Sequence, residues 1–390
     1  MLLVQILKQS FLPSFISLIG LMFSASILSK LELSDIGIGI PFKVLQQLTV
    51  LVPVISNLNG NLELNLSCRL STCANNGKLN RSVSRIQLYH SNLIYMLFQS
   101  ILLGLFSSSF AILVSGLVGI LSTLREFMIL TVASIVTISL GTLLLGTFMN
   151  GLIIQCVLYD LDPDNIAAPI ACAFGDATTL ILFILVANVC LLDSTGWVCF
   201  IVLLGCLIAL AYLYTQLPYT TNDSIHPYSI DSYLPYIISI SITTFCGLAL
   251  EEYLDTYKGL ASLAPVINGL SGGNTAIYAS RITTSFSMNR QEDSSHIISA
   301  VWILTIFNVF LLLLLSTVFH ITSITTRLLF GSLITSNICL FLLISFVKPF
   351  CTLLNKHDID LEAVILPILT ALGDLGTIIY ILVFYCLRFV

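Results

Sequence analysis

Eleven long apolar stretches dominate this sequence, near residues 11–30, 40–72, 91–121, 126–158, 166–192, 197–217, 234–254, 260–287, 297–320, 326–348 and 362–389. A run of about 18 or more apolar residues can cross the hydrocarbon of a bilayer. Backbone in that medium must satisfy its hydrogen bonds within the segment, which leaves the helix as the form open to each run. The chain is 57% hydrophobic and only 9% charged, whereas soluble domains carry about 25% charged residues. The sequence therefore predicts an all-α polytopic membrane protein. The 40–72 run is the exception, amphipathic enough to be read as broken or partly interfacial.

Two polar motifs recur on the apolar background. Pro53–Thr72 (PVISNLNGNLELNLSCRLST) aligns without gaps with Pro265–Thr284 (PVINGLSGGNTAIYASRITT) at an offset of 212 residues, matching Pro53, Gly60 and Arg69 to Pro265, Gly272 and Arg281. Downstream, PIACAFGD ending at Asp176, with Thr179, matches PILTALGD ending at Asp374, with Thr377. The same order in both places implies a duplicated unit with its site between the copies. This divides the chain into a first repeat over residues 1–192, a linker helix and loop over 193–233, and a second repeat over 234–390. Five spans per copy would leave the second copy inverted, but the extra run at 197–217 restores the parity. The expected arrangement is two tandem five-helix repeats joined by a linker transmembrane helix, a monomeric pseudo-dimer with its pseudo-two-fold along the membrane normal.

The few charges are scattered between spans, so there is no nucleic-acid footprint. With the N-terminus inside, Lys8, Lys78, Arg81, Arg85, Arg290, Lys348 and Lys356 are cytoplasmic, while Lys30, Arg125, Lys258, Arg327 and Arg388 are not. The tight group Lys78, Arg81 and Arg85 sets this expected orientation. On that topology the glycosylation sequons at Asn65, Asn80 and Asn222 are buried or cytoplasmic and carry no glycan. The eleven cysteines are dispersed with no CxxC pair, and read as packing thiols. None of the five histidines is spaced for a shared Zn²⁺ site.

A carboxylate within the hydrocarbon costs at least about 2.5 kcal/mol and marks a transport path by default. Asp176 and Asp374 stand near the middle of their spans, each after a glycine and seven residues after a proline. Two such carboxylates facing one another repel unless a cation lies between them. The accompanying donors Asn61, Glu63, Thr178, Thr179, Asn268, Asn274 and Thr377 are all oxygen-bearing, which suits a hard divalent cation such as Mg²⁺. Arg69 and Arg281 read as structural, either snorkelling to an interface or pairing with Asp176 and Asp374. Gly60-Asn61 and Gly272-Gly273-Asn274 allow a close helix crossing or a broken, carbonyl-lined helix. Glu63 has Thr275 opposite it, so it is either an extra, unsymmetrical ligand or an acid on a cavity-facing helix surface. Asp160, Asp162, Asp164, Asp358, Asp360 and Glu362 read as helix-start caps or as a cation-gathering vestibule. An intramembrane aspartyl protease also has two membrane aspartates, but Ala173 and Ala371 stand where its GxGD motif needs glycine.

PVISNLNGNLELNLSCRLSTCANNGK and LDPDNIAAPIACAFGDATTL, with LPILTALGDLGT, resemble the corresponding motifs of solute carrier family 41, eukaryotic relatives of the bacterial MgtE magnesium transporters. The resemblance runs end to end through four motifs in order. It implies two MgtE-type five-helix units, a central pore, Mg²⁺ as substrate rather than cofactor, and Asp176 and Asp374 as the cation-binding residues. The second copy departs from the pattern, with Gly273 where asparagine is expected. Mn²⁺ or Co²⁺ on the same fold, and coupling to Na⁺ or H⁺, are compatible with the same residues. The expected location is the plasma membrane. With a first span beginning near residue 11, no soluble Mg²⁺-sensing domain is expected in the chain.

Overall fold

The computed structural model describes residues 2–33, 47–77, 79, 82–117, 119, 123–192, 195–217, 233–254, 260–288, 294–318, 326–357 and 359–386. Within them the chain forms eleven helices: α1 Leu2–Leu33, α2 Gln47–Asn75, α3 Ser82–Leu117, α4 Leu124–Leu158, α5 Pro163–Leu192, α6 Trp197–Gln216, α7 Leu234–Leu254, α8 Leu260–Ser287, α9 Ser294–Val318, α10 Thr326–Lys356 and α11 Leu361–Cys386. Among the described residues, seven stretches, in α1, α3, α4, α5, α6, α9 and α10, are long and apolar enough to cross a membrane. Lys78, Asn80, Arg81, Lys258, Arg290, Asp358, Arg388 and the polar linker from Pro218 to Ser232 lie outside the described residues, as do the side chains of Lys30, Asn268, Arg327 and Thr377.

Over the described part of the 40–72 run, residues 47–72, the helix is neither broken nor interfacial. α2 is one helix from Gln47 to Asn75 with Pro53 inside it, and α8 passes unbroken through Gly272-Gly273. Polar residues lowered the apparent hydrophobicity of α2, but they are buried among neighbouring helices rather than set at an interface. Asn59, Asn61 and Glu63 are fully buried.

Local chemistry fixes the helix ends. Thr123 and Glu126 form a capping box at the start of α4, with Thr123 Oγ1 accepting from Glu126 N and Glu126 Oε2 accepting from Thr123 N. The α4–α5 corner closes with Leu161 N donating to Cys156 O, across Asp160 in the left-handed region at φ 52°. The α10–α11 corner closes in the same way, with Ile359 N donating to Leu354 O. These donors and acceptors both stand 198 residues apart, the offset that separates Asp176 from Asp374. Asp162 Oδ1 then accepts from Asp164 N, and Asp360 Oδ1 accepts from Glu362 N and Ala363 N, capping α5 and α11.

The largest buried cluster centres on α2, which packs against α3, α4, α5, α7, α8 and α11. The opening helix of each motif set crosses over. α1 packs on α5 and α8, whereas α7 packs on α11 and α2. α6 packs mainly on α3 and α4, with Cys199 in a small cluster that also takes in Cys190 of α5, and turns Trp197, Phe200, Ile201, Leu204, Ile208 and Tyr212 outward. Its uniformly apolar surface suits lipid.

Candidate functional site

α2 lies between the two helices that carry the aspartates and runs antiparallel to both. Asp176 and Asp374 each stand thirteen residues past the start of their helix, a rise of about 20 Å. On one flank of α2, Asn57 Nδ2 donates to Asp374 Oδ2 at 2.6 Å. Asn61 Nδ2 and Ser239 Oγ both donate to Asn57 Oδ1, at 2.7 and 2.8 Å, and Thr370 Oγ1 donates to Asn61 Oδ1 at 2.7 Å. A hydroxyl and amide relay from α7, α2 and α11 therefore orients the Asn57 amide toward Asp374.

On the other flank, α2 meets α5 through Gly60 and Gly175. A Cβ placed on Gly175 would stand 3.7 Å from Gly60 Cα and 3.0 Å from Glu63 Oε2. The close-crossing alternative for Gly60 is thus the one the structure adopts. Glu63 and Asp176 are near enough for their like charges to interact, and the charges of both reach Cys172. One turn from Glu63, Asn59 Nδ2 donates to Thr179 Oγ1 at 2.5 Å. Asn59 fits because position 141 of α4 is glycine; a Cβ there would come within 2.4 Å of Asn59 Nδ2.

The arginines do not approach either membrane aspartate. Arg69 pairs with Asp360 at 2.8 Å, and Arg281 pairs with Asp162 at 2.7 Å and also donates to Asn165 Oδ1 at 2.9 Å. The acids that cap α5 and α11 are therefore also the arginine partners, each drawn from the opposite motif set. Between the two pairs, Thr72 and Thr284 face each other at 3.2 Å. Asp164 is buried under donors from both sides: Ser71 Oγ, Asn75 Nδ2, Ser280 Oγ and Thr284 Oγ1. Glu362 accepts from Thr72 Oγ1 at 2.5 Å. This end of the bundle is a clasp of two arginine–aspartate pairs, with Asp164 and Glu362 held between them by neutral hydroxyl and amide donors.

Of the residues expected from sequence, Asp176, Glu63 and Thr179 gather on the α5 flank of α2, and Asp374 and Asn61 on the α11 flank. Thr178 is half-buried on α5. Asn274 turns away, accepting from Ser14 Oγ of α1 at 3.4 Å and donating to Thr305 Oγ1 of α9 at 2.8 Å. Four participants were missed: Asn57, Asn59, Ser239 and Thr370. Asn57 had a signal, since it stands one turn before Asn61 on the same helix face. Among the described residues, no group of three or more His, Cys, Asp and Glu side chains is gathered as for a metal ion.

The MgtE family, described as divalent cation transporters, matches residues 52–186 and 264–384. Solute carrier family 41 member 3 of Rattus norvegicus is 29% identical over 284 residues, covering 72% of this chain and 60% of the relative. The Mus musculus member 3 is 31% identical over 251 residues, covering 63% and 51%. Solute carrier family 41 member 2 of Homo sapiens is 30% identical over 253 residues, covering 62% and 43%. The chain thus spans 43–60% of the length of these relatives. No solved structure matches it.

Proposed function

Because the chain belongs to the MgtE family of divalent cation transporters, we propose that it carries Mg²⁺ across a bilayer along a path lined by α2, α5 and α11. The observation that carries this reading is the placement of Asp176 and Asp374 at equal depth in α5 and α11, on two flanks of one polar helix. Carboxylates at that depth are costly unless they serve an ion. Their neighbours Thr178 and Thr370 carry hydroxyls, and Asn57 and Asn61 carry amides whose oxygens stand in the relay with Ser239 and Thr370; oxygen is the donor type a hard cation takes. Mg²⁺ dehydrates reluctantly, so the carboxylates supply charge while amides and hydroxyls orient the ion's remaining water.

The same reading takes residues 1–192 and 234–390 as tandem five-helix repeats and 193–233 as the linker, with one chain as the working unit in the plasma membrane. With the N-terminus inside, the Arg69–Asp360 and Arg281–Asp162 clasp closes the cytoplasmic mouth. The transporter family match sets aside the protease alternative.

The test is Mg²⁺ uptake into liposomes holding the full chain, with Asp176→Asn and Asp374→Asn beside the wild type at equal protein density. Each substitution is expected to remove most of the flux. Mn²⁺ and Co²⁺ arms separate the substrate ions, and imposed Na⁺ or pH gradients reveal coupling. Flux unchanged in both variants overturns the proposal.

A further inference from the structure

Among the described residues, Glu63 is the one carboxylate buried with both oxygens unpartnered. Its side chain is fully buried, and neither carboxylate oxygen has a hydrogen-bond partner. It cannot swing free, because the Gly60–Gly175 crossing holds it against the α5 backbone, where Oε2 lies 3.0 Å from the position of a Gly175 Cβ. Asp176, the next residue of α5, is its electrostatic neighbour, with Cys172 one turn back along the same helix. Native proteins almost always partner buried polar groups, and a fully buried carboxylate beside a second, half-buried one calls for a positive charge between them. Arg69 and Arg281 do not supply it. Arg69 is bound to Asp360, and Arg281 to Asp162 and Asn165, at the far end of the bundle.

We infer that Glu63 and Asp176 form a two-carboxylate divalent-cation site on the α2–α5 flank, with Glu63 a direct ion-binding residue that the second motif does not repeat. Position 275, one offset of 212 from Glu63, is threonine, and its hydroxyl donates to Ser271 O within α8. On the α11 flank, Asp374 instead accepts from the Asn57 amide. One flank thus offers two anionic groups and the other a single carboxylate already held by a neutral donor. A 2+ ion is matched in charge only on the first. The four carboxylate oxygens suit a hard cation, and the ion sits to one side of α2 rather than midway between Asp176 and Asp374. The inference rests on the transport reading above and specifies where the ion binds within it.

The experiment uses the purified full chain in nanodiscs, with Mn²⁺ as a spin probe titrated by electron paramagnetic resonance and Mg²⁺ as competitor. The Mg²⁺-induced rise in Tm is followed in parallel. Glu63→Gln keeps the shape and removes the charge. It is expected to weaken Mn²⁺ binding at least about tenfold and to shrink the Tm rise, while the ion-free protein is as stable as the wild type or more so. Gly175→Ala, which leaves both carboxylates in place but crowds Oε2, is expected to weaken binding in the same direction. Binding and Tm response unchanged in Glu63→Gln, as for a pair that shares a proton and takes no metal, overturn the inference. If flux is lost in Asp176→Asn and Asp374→Asn while Glu63→Gln binds normally, only the role of Glu63 falls. If those aspartate variants also transport normally, the transport reading itself falls.

Discussion

At residue scale, the polar face of α2 is tolerated because small residues on its neighbours make room for it. Gly141 is the clearest case. Gly141→Ala sets a methyl 2.4 Å from Asn59 Nδ2, which must displace the amide from Thr179. The expected cost is about 1–3 kcal/mol, read as a lower Tm in detergent. The two membrane aspartates could be found from sequence because they repeat and because charge in an apolar run is conspicuous. Which residue faces each of them could not. The Asn57–Asp374 bond joins residues 317 positions apart, and sequence carries no register between helices that are not consecutive. The same gap explains the arginines. An Arg near a polar motif is equally free to reach an acid at mid-membrane or one at a helix start, and only packing chooses the latter.

At the scale of elements, all eleven helices were visible as apolar runs, because span length leaves few alternatives in a bilayer. The misreading of α2 as broken or partly interfacial has a definite cause. Hydropathy counts Asn57, Asn59, Asn61 and Asn65 against a buried helix, yet each donates to a neighbour: Asp374, Thr179, Asn57 and Tyr236 respectively. Helix ends follow local rules that sequence does expose, such as the Thr123–Glu126 box and the acid before each of α5 and α11. The α4–α5 corner also holds a non-glycine residue at φ 52°, Asp160. Asp160→Gly is expected to raise stability by about 0.5–1 kcal/mol, and a β-branched residue there to lower it. A lower Tm for the glycine variant would mean that the Asp160 carboxylate contributes more than its backbone costs.

At the scale of the whole molecule, the arginine clasps tie residues before the linker to residues after it, and they are unequal. Arg281 is 5% exposed with its partner Asp162 at 22%, whereas Arg69 at 11% faces an Asp360 that is 40% exposed. Removing Arg281 strands a more buried acid and also the Asn165 carbonyl. Arg281→Ala is therefore expected to cost about 3 kcal/mol, and Arg69→Ala about 1 kcal/mol or less, with the latter falling further in high salt. Equal losses in thermal unfolding would contradict this ranking.

The contact between Thr72 and Thr284, 212 positions apart, has a consequence for heredity. In a protein assembled from two identical chains, a residue on the two-fold axis meets its own copy, so any mutation there arrives twice at once. Here the facing hydroxyls are specified by separate codons of one gene, and each can change while the other is kept. The same freedom extends to position 63 and its counterpart at 275, where one copy keeps glutamate and the other has threonine. A homodimer is confined to two such acids or none; a gene carrying both copies can settle on one.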